Sequence, residues 1–568
     1  MKKIFSIFIF LLCAGTFFAA NPPRVNKTLP FHKGINFTLW LDGNEPHRVA
    51  NFGRQDFEDI RSLGVDCTRL YIRFEEYSSG EPDYIIPDWL WKNIDDAVAW
   101  CTELKMYMII DFHNDCDGDS KTRPDVEKVL TKIWPQIANR YKDSSEYIIY
   151  EIMNEPHFRS GNLEADISKW NKIQGKILKL IRTIDTKHTV IVGAESWNSV
   201  TALLKLPDYK DDNIIYNFHD YTPMLFSHQG ASWTIFKYLT GVPFPYDKNK
   251  MPPFPKDPGA KDLRWDYDNY ERDSSENVLC KPLDEAVKLA NKRGVALMCN
   301  EWGVSMQYAD NAERINWYRM KAKWMDDRNI IRMSHDYKDL FGIFNSPSHF
   351  ETFPQDVNVE LIEAMGYKMP QGVKPRSKNW METSYKNGEY VIYKDGVSKN
   401  TLCNPWLKCV RKNEFTSFGN KPDDNGGLYI SVPSAEKYNA FIFELNKSYD
   451  FTPFVNKNLC LEFEVKTTQK NFRLDVYFMD SLETSMDKKG FEWRATKSFT
   501  SRDGLNDGKW HKVRILLKDM KDGGAWNDLE KKWYNGEGLF NWDRVHKLAF
   551  DFIDGLTEEC CIRNIVVK

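Results

Sequence analysis

The chain has 568 residues and a mass of 66.6 kDa, too long for one ordinary domain and long enough for one large barrel with a smaller partner. Its hydrophobic fraction of 42% excludes wholesale disorder, and 78 basic against 81 acidic residues, a formal charge of -3, exclude the basic footprint of a nucleic-acid binder. Aromatic residues stand out: 19 Trp, 26 Tyr and 35 Phe make up 14% of the chain, and their flat apolar faces suit sugar rings as well as cores.

Residues 1–20 read as a secretory signal, with Lys2 and Lys3, an apolar run from Ile4 to Leu12, and a small-residue end at Ala19 and Ala20. That run is shorter than the ~20 residues a bilayer span needs. The expectation is an exported protein, periplasmic or extracellular, with no integral membrane segment in the mature chain and a net charge of -5 once both lysines are removed. Leu12, ahead of Cys13, is bulky where a lipoprotein signal carries a small residue. Cys67, Cys101 and Cys299 sit in apolar runs and read as core residues. Cys403 and Cys409 could close a short loop, and a bond between adjacent Cys560 and Cys561 would be strained.

From Lys33 to Gly372, apolar runs alternate with amphipathic stretches. Strands are expected at Gly34–Leu39, Cys67–Ile72, Tyr107–Phe112, Tyr147–Met153, Thr189–Gly193, Asn213–Phe218, Val295–Asn300 and Ile330–Ser334. Helical patterns such as Asp56–Leu63, Trp89–Leu104, Val126–Tyr141 and Ile167–Ile184 lie between them. Eight strand–helix repeats predict an α/β fold, a (β/α)8 barrel over residues 21–375. The connection from Tyr221 to Ser275, rich in Pro and aromatics, is too long for a plain loop and reads as a wall of a cleft. After the Pro/Lys/Gly-rich stretch Pro370–Asn379 the period becomes two. Runs such as Ala440–Leu445, Phe472–Phe478 and Lys547–Phe552 predict an all-β jelly-roll sandwich over residues 376–568.

Two strand ends carry the chemistry. The fourth runs Tyr150-Glu151-Ile152-Met153-Asn154-Glu155-Pro156, and the seventh Cys299-Asn300-Glu301-Trp302-Gly303. Each sets a glutamate just past the C-terminal edge of a barrel strand, where barrel enzymes build their sites. Strand parity groups Glu155 with Met153 and Glu151, and Glu301 with Cys299 and Leu297. Two carboxylates across one barrel mouth suit glycoside hydrolysis, in which one gives and takes a proton while the other attacks or activates water. Glu151 lies roughly 13 Å deeper along the strand than Glu155, too far to share its role, and reads as an interior polar group. No Cys/His spacing matches a zinc site, and Asp115-Cys116-Asp117-Gly118-Asp119 lacks the later Glu of a calcium loop, so neither metal nor cofactor is expected.

With these motifs the region Gly34–Lys368, about three-fifths of the chain, resembles glycoside hydrolase family 5, the cellulase family of clan A. The matching segments are Gly34-Ile35-Asn36, Gly64-Val65-Asp66-Cys67-Thr68-Arg69-Leu70, Asp111-Phe112-His113-Asn114, Asn154-Glu155-Pro156, Asn217-Phe218-His219-Asp220-Tyr221 and Asn300-Glu301-Trp302-Gly303. The resemblance implies a retaining mechanism with Glu155 as acid/base and Glu301 as nucleophile. It also implies that Arg69 keeps Glu301 charged, that Asn154 bonds the sugar 2-hydroxyl, and that His113, His219 and Tyr221 belong to the site. Trp40 and Trp197 follow strands one and five and could stack on pyranose rings, with buried packing as the alternative. The family usually ends its eighth strand in a Trp under the sugar being cut; here His335 takes that position, with less stacking area and a titratable donor.

The tail from Tyr385 resembles the carbohydrate-binding modules that accompany glycosidases, with Trp493, Trp526, Trp533 and Trp542 as candidate platforms and core packing preferred for most of them. The implied activity is an endo-β-1,4-glucanase acting on a polysaccharide or oligosaccharide as a monomer. The alternatives are a β-mannanase, a xyloglucanase or an exo-β-glucosidase on the same barrel, and a non-catalytic glycan-binding relative.

Overall fold

The computed structural model describes residues 22–41, 52–113, 121–345, 353–354, 356–371, 385–386, 388–394, 401–403, 409–410, 416–422, 428–480, 492–527 and 531–568. The signal reading at 1–20, the Asp115–Asp119 turn and most of the Pro370–Asn379 stretch lie outside these residues. Among the described residues no helix is long and apolar enough to cross a membrane.

Eight strands close into a parallel barrel in sequence order: β1 Lys33–Leu41, β2 Cys67–Ile72, β3 Tyr107–Phe112, β4 Ile148–Glu151, β5 Thr189–Gly193, β6 Ile214–His219, β7 Ala296–Trp302 and β8 Ile331–Ser334. Closure follows from β1 pairing with both β2 and β8. The intervening helices form the outer layer. Their ends carry ordinary stop and start signals. Gly294, at φ 68°, closes the helix Glu276–Arg293 just before β7, and the Asp310 carboxylate accepts from the Ala312 and Glu313 N–H groups to start Asn311–Asp327.

The barrel interior has two storeys. Its floor is apolar, with Ile109, Ile149, Ile191, Ile215, Met298 and Met333 all buried. Above it sit Asn36, Arg69, Asp111, Glu151, Asn217 and Asn300, each 0% exposed. Polar groups this deep survive only when they bond one another, and they occupy the end of the barrel that faces the cleft.

Strand parity fails at three strand ends. Leu297 and Cys299 pack against the helices in the outer core, so parity alone would turn Glu301 outward too. A register shift between Cys299 and Trp302 brings both Asn300 and Glu301 to the interior. β4 ends at Glu151, two residues before the expected Met153, and Met153 turns into the outer core, so Glu155 does not share a strand face with Glu151. In β1 the register shifts between Phe37 and Leu41, and Trp40 joins the outer core beside Phe57, 5.9 Å between ring centroids.

The C-terminal region is all β, with two seven-stranded sheets. The strands Leu428–Val432, Cys560–Val567, Cys460–Thr467 and His511–Leu516 belong to one; Asn439–Tyr449, Val545–Phe552, Arg473–Asp480 and Arg494–Thr500 belong to the other. Their inner faces meet in a core where Phe441 stacks on Phe550 at 4.9 Å and Phe463 crosses Phe550 edge-on at 5.1 Å. Trp493 is 0% exposed and Trp542 packs against this core. Trp526 and Trp533 stand opposite each other across a hairpin, 38% and 41% exposed. Cys67, Cys101 and Cys299 are buried thiols, as their apolar settings suggested.

Candidate active site

The cleft above the charged storey has a volume of about 1250 Å³. Its floor is formed at the ends of β2, β3, β4, β6, β7 and β8 by Tyr71, His113, Asn154, Glu155, His219, Glu301 and His335. One wall comes from the long connection after β6, through Tyr221, Met224, Trp233 and Trp265. That is the role its length and composition suggested.

Glu301 is the most constrained group. Its Oε1 accepts from Arg69 Nη1 at 2.7 Å and from the Tyr71 hydroxyl at 2.6 Å; its Oε2 accepts from the Tyr221 hydroxyl at 2.8 Å. Burial alone would push this carboxyl up, but the positive charges of His219 and Arg69 outweigh it and hold Glu301 well below the usual carboxylate range. The side chain is therefore a fixed carboxylate with its charge confined to one orientation.

Arg69 is fully buried and ties the storey together. Its Nε donates to Glu151 Oε2 at 2.5 Å, and its Nη2 donates to Glu151 Oε1 at 3.1 Å and to Asn154 Oδ1 at 2.8 Å. Nη2 also lies 3.0 Å from Asp111 Oδ2. Burial disfavours its charge, yet Asp111, Glu151 and Glu301 outweigh that cost and raise its pKa further. Burial likewise pushes the Glu151 carboxyl up, with Arg69 opposing it. Glu151 is thus an interior counter-ion and takes no place in the cleft.

Glu155 faces Glu301 across the mouth. It sits at φ 41°, a left-handed conformation that β-branched residues avoid, and its side chain remains 25% exposed to the cleft. His219 bridges the two glutamates. Its Nδ1 donates to Glu155 Oε1 at 2.7 Å and lies 3.5 Å from Glu301 Oε2. Burial opposes charge on this imidazole, but Glu301 and Glu155 overcome it and raise its pKa. One atom each of Glu155, His219 and Glu301 lie within 4.8 Å of one another. This is also the grouping among the described residues that most resembles a metal site. With the Nδ1 proton engaged by Glu155, however, His219 has no lone pair on that side to offer an ion.

Asn154 and His113 are drawn in by the same network. His113 Nδ1 bonds Asp111 at 2.6 Å, and its ring stacks on Tyr71 with centroids 3.6 Å apart. His335 Nδ1 lies 2.9 Å from the Tyr71 hydroxyl. Trp197 lines the cleft at 44% exposure and stacks on His157 at 4.6 Å. Trp40, at 1% exposure, does not reach the cleft and takes the buried alternative, because the register shift in β1 turns it toward the helices.

Tyr71 and Asn198 lie outside the motifs, and Asn300 stands inside one without being singled out as a site residue. Tyr71 follows Arg69 by two residues, so strand parity and its place at the end of β2 were the available signal. Asn300 accepts from His219 Nε2 at 2.8 Å and donates to Glu151 at 2.9 Å. Asn198 Nδ2 lies 3.1 Å from that same nitrogen. It closes a run of three left-handed residues, Ser196 to Asn198, that no sequence pattern announces.

The profile described as Cellulase (glycosyl hydrolase family 5) matches residues 39–339, just over half of the chain. The chain belongs to this family. Among family relatives, Endoglucanase 3 of Fibrobacter succinogenes is 28% identical over 359 residues, covering 60% of this chain and 54% of the relative; this chain thus spans about half of that protein's length. Endoglucanase C of Acetivibrio thermocellus is 28% identical over 331 residues, covering 56% of this chain and 94% of the relative. A crystal structure of endoglucanase Cel5A from the hyperthermophilic Thermotoga maritima is 26% identical, covers 59% of this chain and 96% of its own, and superposes with a TM-score of 0.47. The family match lies within the barrel and leaves the sandwich outside it.

Proposed function

We propose that the chain is an exported endo-β-1,4-glucanase that hydrolyses glucan polysaccharide with retention of configuration. The observation that carries this reading is the pair of carboxylates, Glu155 and Glu301, facing each other across the barrel mouth and bridged by His219. Retaining glycosidases set their carboxyl groups about 5–5.5 Å apart, and inverting ones leave room for an intervening water. The tight Glu155–His219–Glu301 grouping supports the first class. The endoglucanase names of the family relatives support the choice of substrate.

Oε1 of Glu301 is held by two donors and Oε2 by one, so Oε2 is the oxygen that attacks the anomeric carbon. As the new C–O bond forms, the bond to the leaving oxygen breaks, and Glu155 transfers its proton to that oxygen. Deglycosylation reverses the roles: Glu155 takes a proton from water as the water attacks the same carbon, and Glu301 leaves as a carboxylate. Arg69, Tyr71 and Tyr221 hold Glu301 throughout, and Asn154, positioned by Arg69, bonds the sugar 2-hydroxyl. Trp197 stacks on a pyranose ring beside Glu155. The sandwich serves as a carbohydrate-binding module, with the exposed Trp526 and Trp533 as its platforms.

Incubation with soluble β-glucan, xyloglucan and mannan, followed by reducing-sugar release and NMR of the first product anomer, tests this reading. Fastest release from β-1,4-glucan, with β product appearing before mutarotation, is expected. An α first product, or no release from any of the three polymers, would contradict it.

A further inference from the structure

The hydroxyl of Tyr71 stands between two partners, 2.6 Å from Glu301 Oε1 and 2.9 Å from His335 Nδ1. A phenol has one proton to give. Burial, together with the charge of Glu301, pushes the Tyr71 hydroxyl well above its ordinary range, so it keeps that proton. Glu301, held as a carboxylate, can only accept. The Tyr71 proton therefore points at Glu301, and the lone pair on the other side of the oxygen requires a donor, which must be His335 Nδ1–H. This fixes the tautomer of His335. Burial lowers the pKa of His335 and favours the neutral ring, whose remaining nitrogen, Nε2, is then an acceptor. His335 lines the cleft, Nε2 has no hydrogen-bond partner among the described residues, and the ring is set edge-on to Phe341 at 5.1 Å and to Tyr221 at 6.0 Å.

We propose that Tyr71 and His335 form a proton-ordered relay that holds Glu301 in position and presents Nε2 of His335 as a hydrogen-bond acceptor to one hydroxyl of the sugar that Glu301 attacks. The inference rests on the nucleophilic reading of Glu301. It assigns a new task to the position where the family usually places a stacking Trp. A flat indole accepts any pyranose ring laid on it, whereas a single aimed acceptor demands a hydroxyl at one carbon and penalises a sugar that lacks or caps it. Tyr71 acts as a positioning residue in this arrangement. Its ring is clamped by the His113 stack at 3.6 Å, with the Arg69 guanidinium 4.7 Å from its centroid, so the hydroxyl has little freedom to turn away.

The test uses the full-length protein, 2,4-dinitrophenyl β-cellobioside and its mono-deoxy analogues in the sugar at the cleavage point. For each analogue, the kcat/KM ratio between wild type and His335→Asn cancels intrinsic reactivity. Asn keeps an amide donor toward Tyr71 but has no acceptor at the Nε2 position. The 2-deoxy sugar should lose rate in both proteins through its missing bond to Asn154; among the remaining analogues, one should lose about tenfold relative to the others in wild type and lose nothing in His335→Asn. Tyr71→Phe, which keeps the ring stack, should lower kcat by about tenfold or more with KM within about twofold. Equal penalties for those remaining analogues in both proteins, or an unchanged kcat in Tyr71→Phe, would overturn the relay. Labelling with a 2-deoxy-2-fluoro cellobioside separates the two levels of failure. A wild type that acquires no label on Glu301 overturns the retaining reading and the relay with it, while a labelled wild type with equal deoxy penalties overturns the relay alone.

Discussion

Between the sheets of the sandwich, Phe441, Phe463, Phe478 and Phe550 fill the interior with hydrocarbon, all at most 1% exposed. In the upper storey of the barrel the same depth is occupied by Arg69, Asp111 and Glu151, with Glu301 at 5%. An apolar core loses stability in proportion to the volume removed, and its parts are partly interchangeable. A buried charge network has no such gradation, because removing one member strands the rest without water. The barrel thus gathers four buried charges in one network, whereas the sandwich buries its carboxylates one at a time, as at Asp480, which accepts from the backbone N–H groups of Trp493 and Asn541.

The largest expected effect tests this contrast directly. Arg69→Met leaves Asp111, Glu151 and Glu301 facing one another without their cation, and should cost the barrel about 3–5 kcal/mol by urea unfolding while abolishing activity. A loss under ~1 kcal/mol would mean that the network is not the strained element described. Phe550→Ala should cost the sandwich a similar ~3–5 kcal/mol through its cavity, yet leave kcat on a soluble substrate within about twofold. A collapse of activity in this variant would show the two regions to be interdependent.

The pH dependence sharpens the same comparison. In the proposed mechanism Glu301 must be ionised to attack, and its folded-state pKa lies well below 4.5, so the activity it supports is expected above that range and lost only as pH falls through the depressed value. The acidic limb of kcat/KM should therefore lie below pH 4.5, and a limb above 5 would contradict the His219 and Arg69 contributions. The smallest effect concerns Glu195. Buried beneath the cleft wall, it accepts from the Phe158 N–H at 3.1 Å and is pushed up to about 7 by burial. A raised carboxyl favours folding below its ordinary pKa, and that contribution is lost as pH rises toward 7. Glu195→Gln should accordingly raise Tm more at pH 8 than at pH 4; equal shifts at both would remove the titration from the account.

What could be read from the chain followed from local periodicity. The eight strands and their helices were legible because each buries an apolar face with a period of its own, and the sandwich because its period drops to two. Glu155 and Glu301 were legible because both stand in short motifs at strand ends. The orientation of those ends was not. At Trp40, Met153 and Cys299 a register shift or an early strand end overrides parity, and such bulges are set by pairing with a neighbouring strand that local sequence does not show. The contact of Tyr71 with His335 spans 264 positions, and only closure of the barrel brings it about.

Azide rescue measures most directly the division of labour between the two glutamates. With an activated aryl β-cellobioside, Glu155→Ala should still form the glycosyl-enzyme and then stall, and azide should release it as the β-glycosyl azide. Glu301→Ala forms no covalent intermediate, so azide can act there only by direct displacement, giving the α-glycosyl azide. Alpha product from Glu155→Ala together with β product from Glu301→Ala would reverse the roles assigned here.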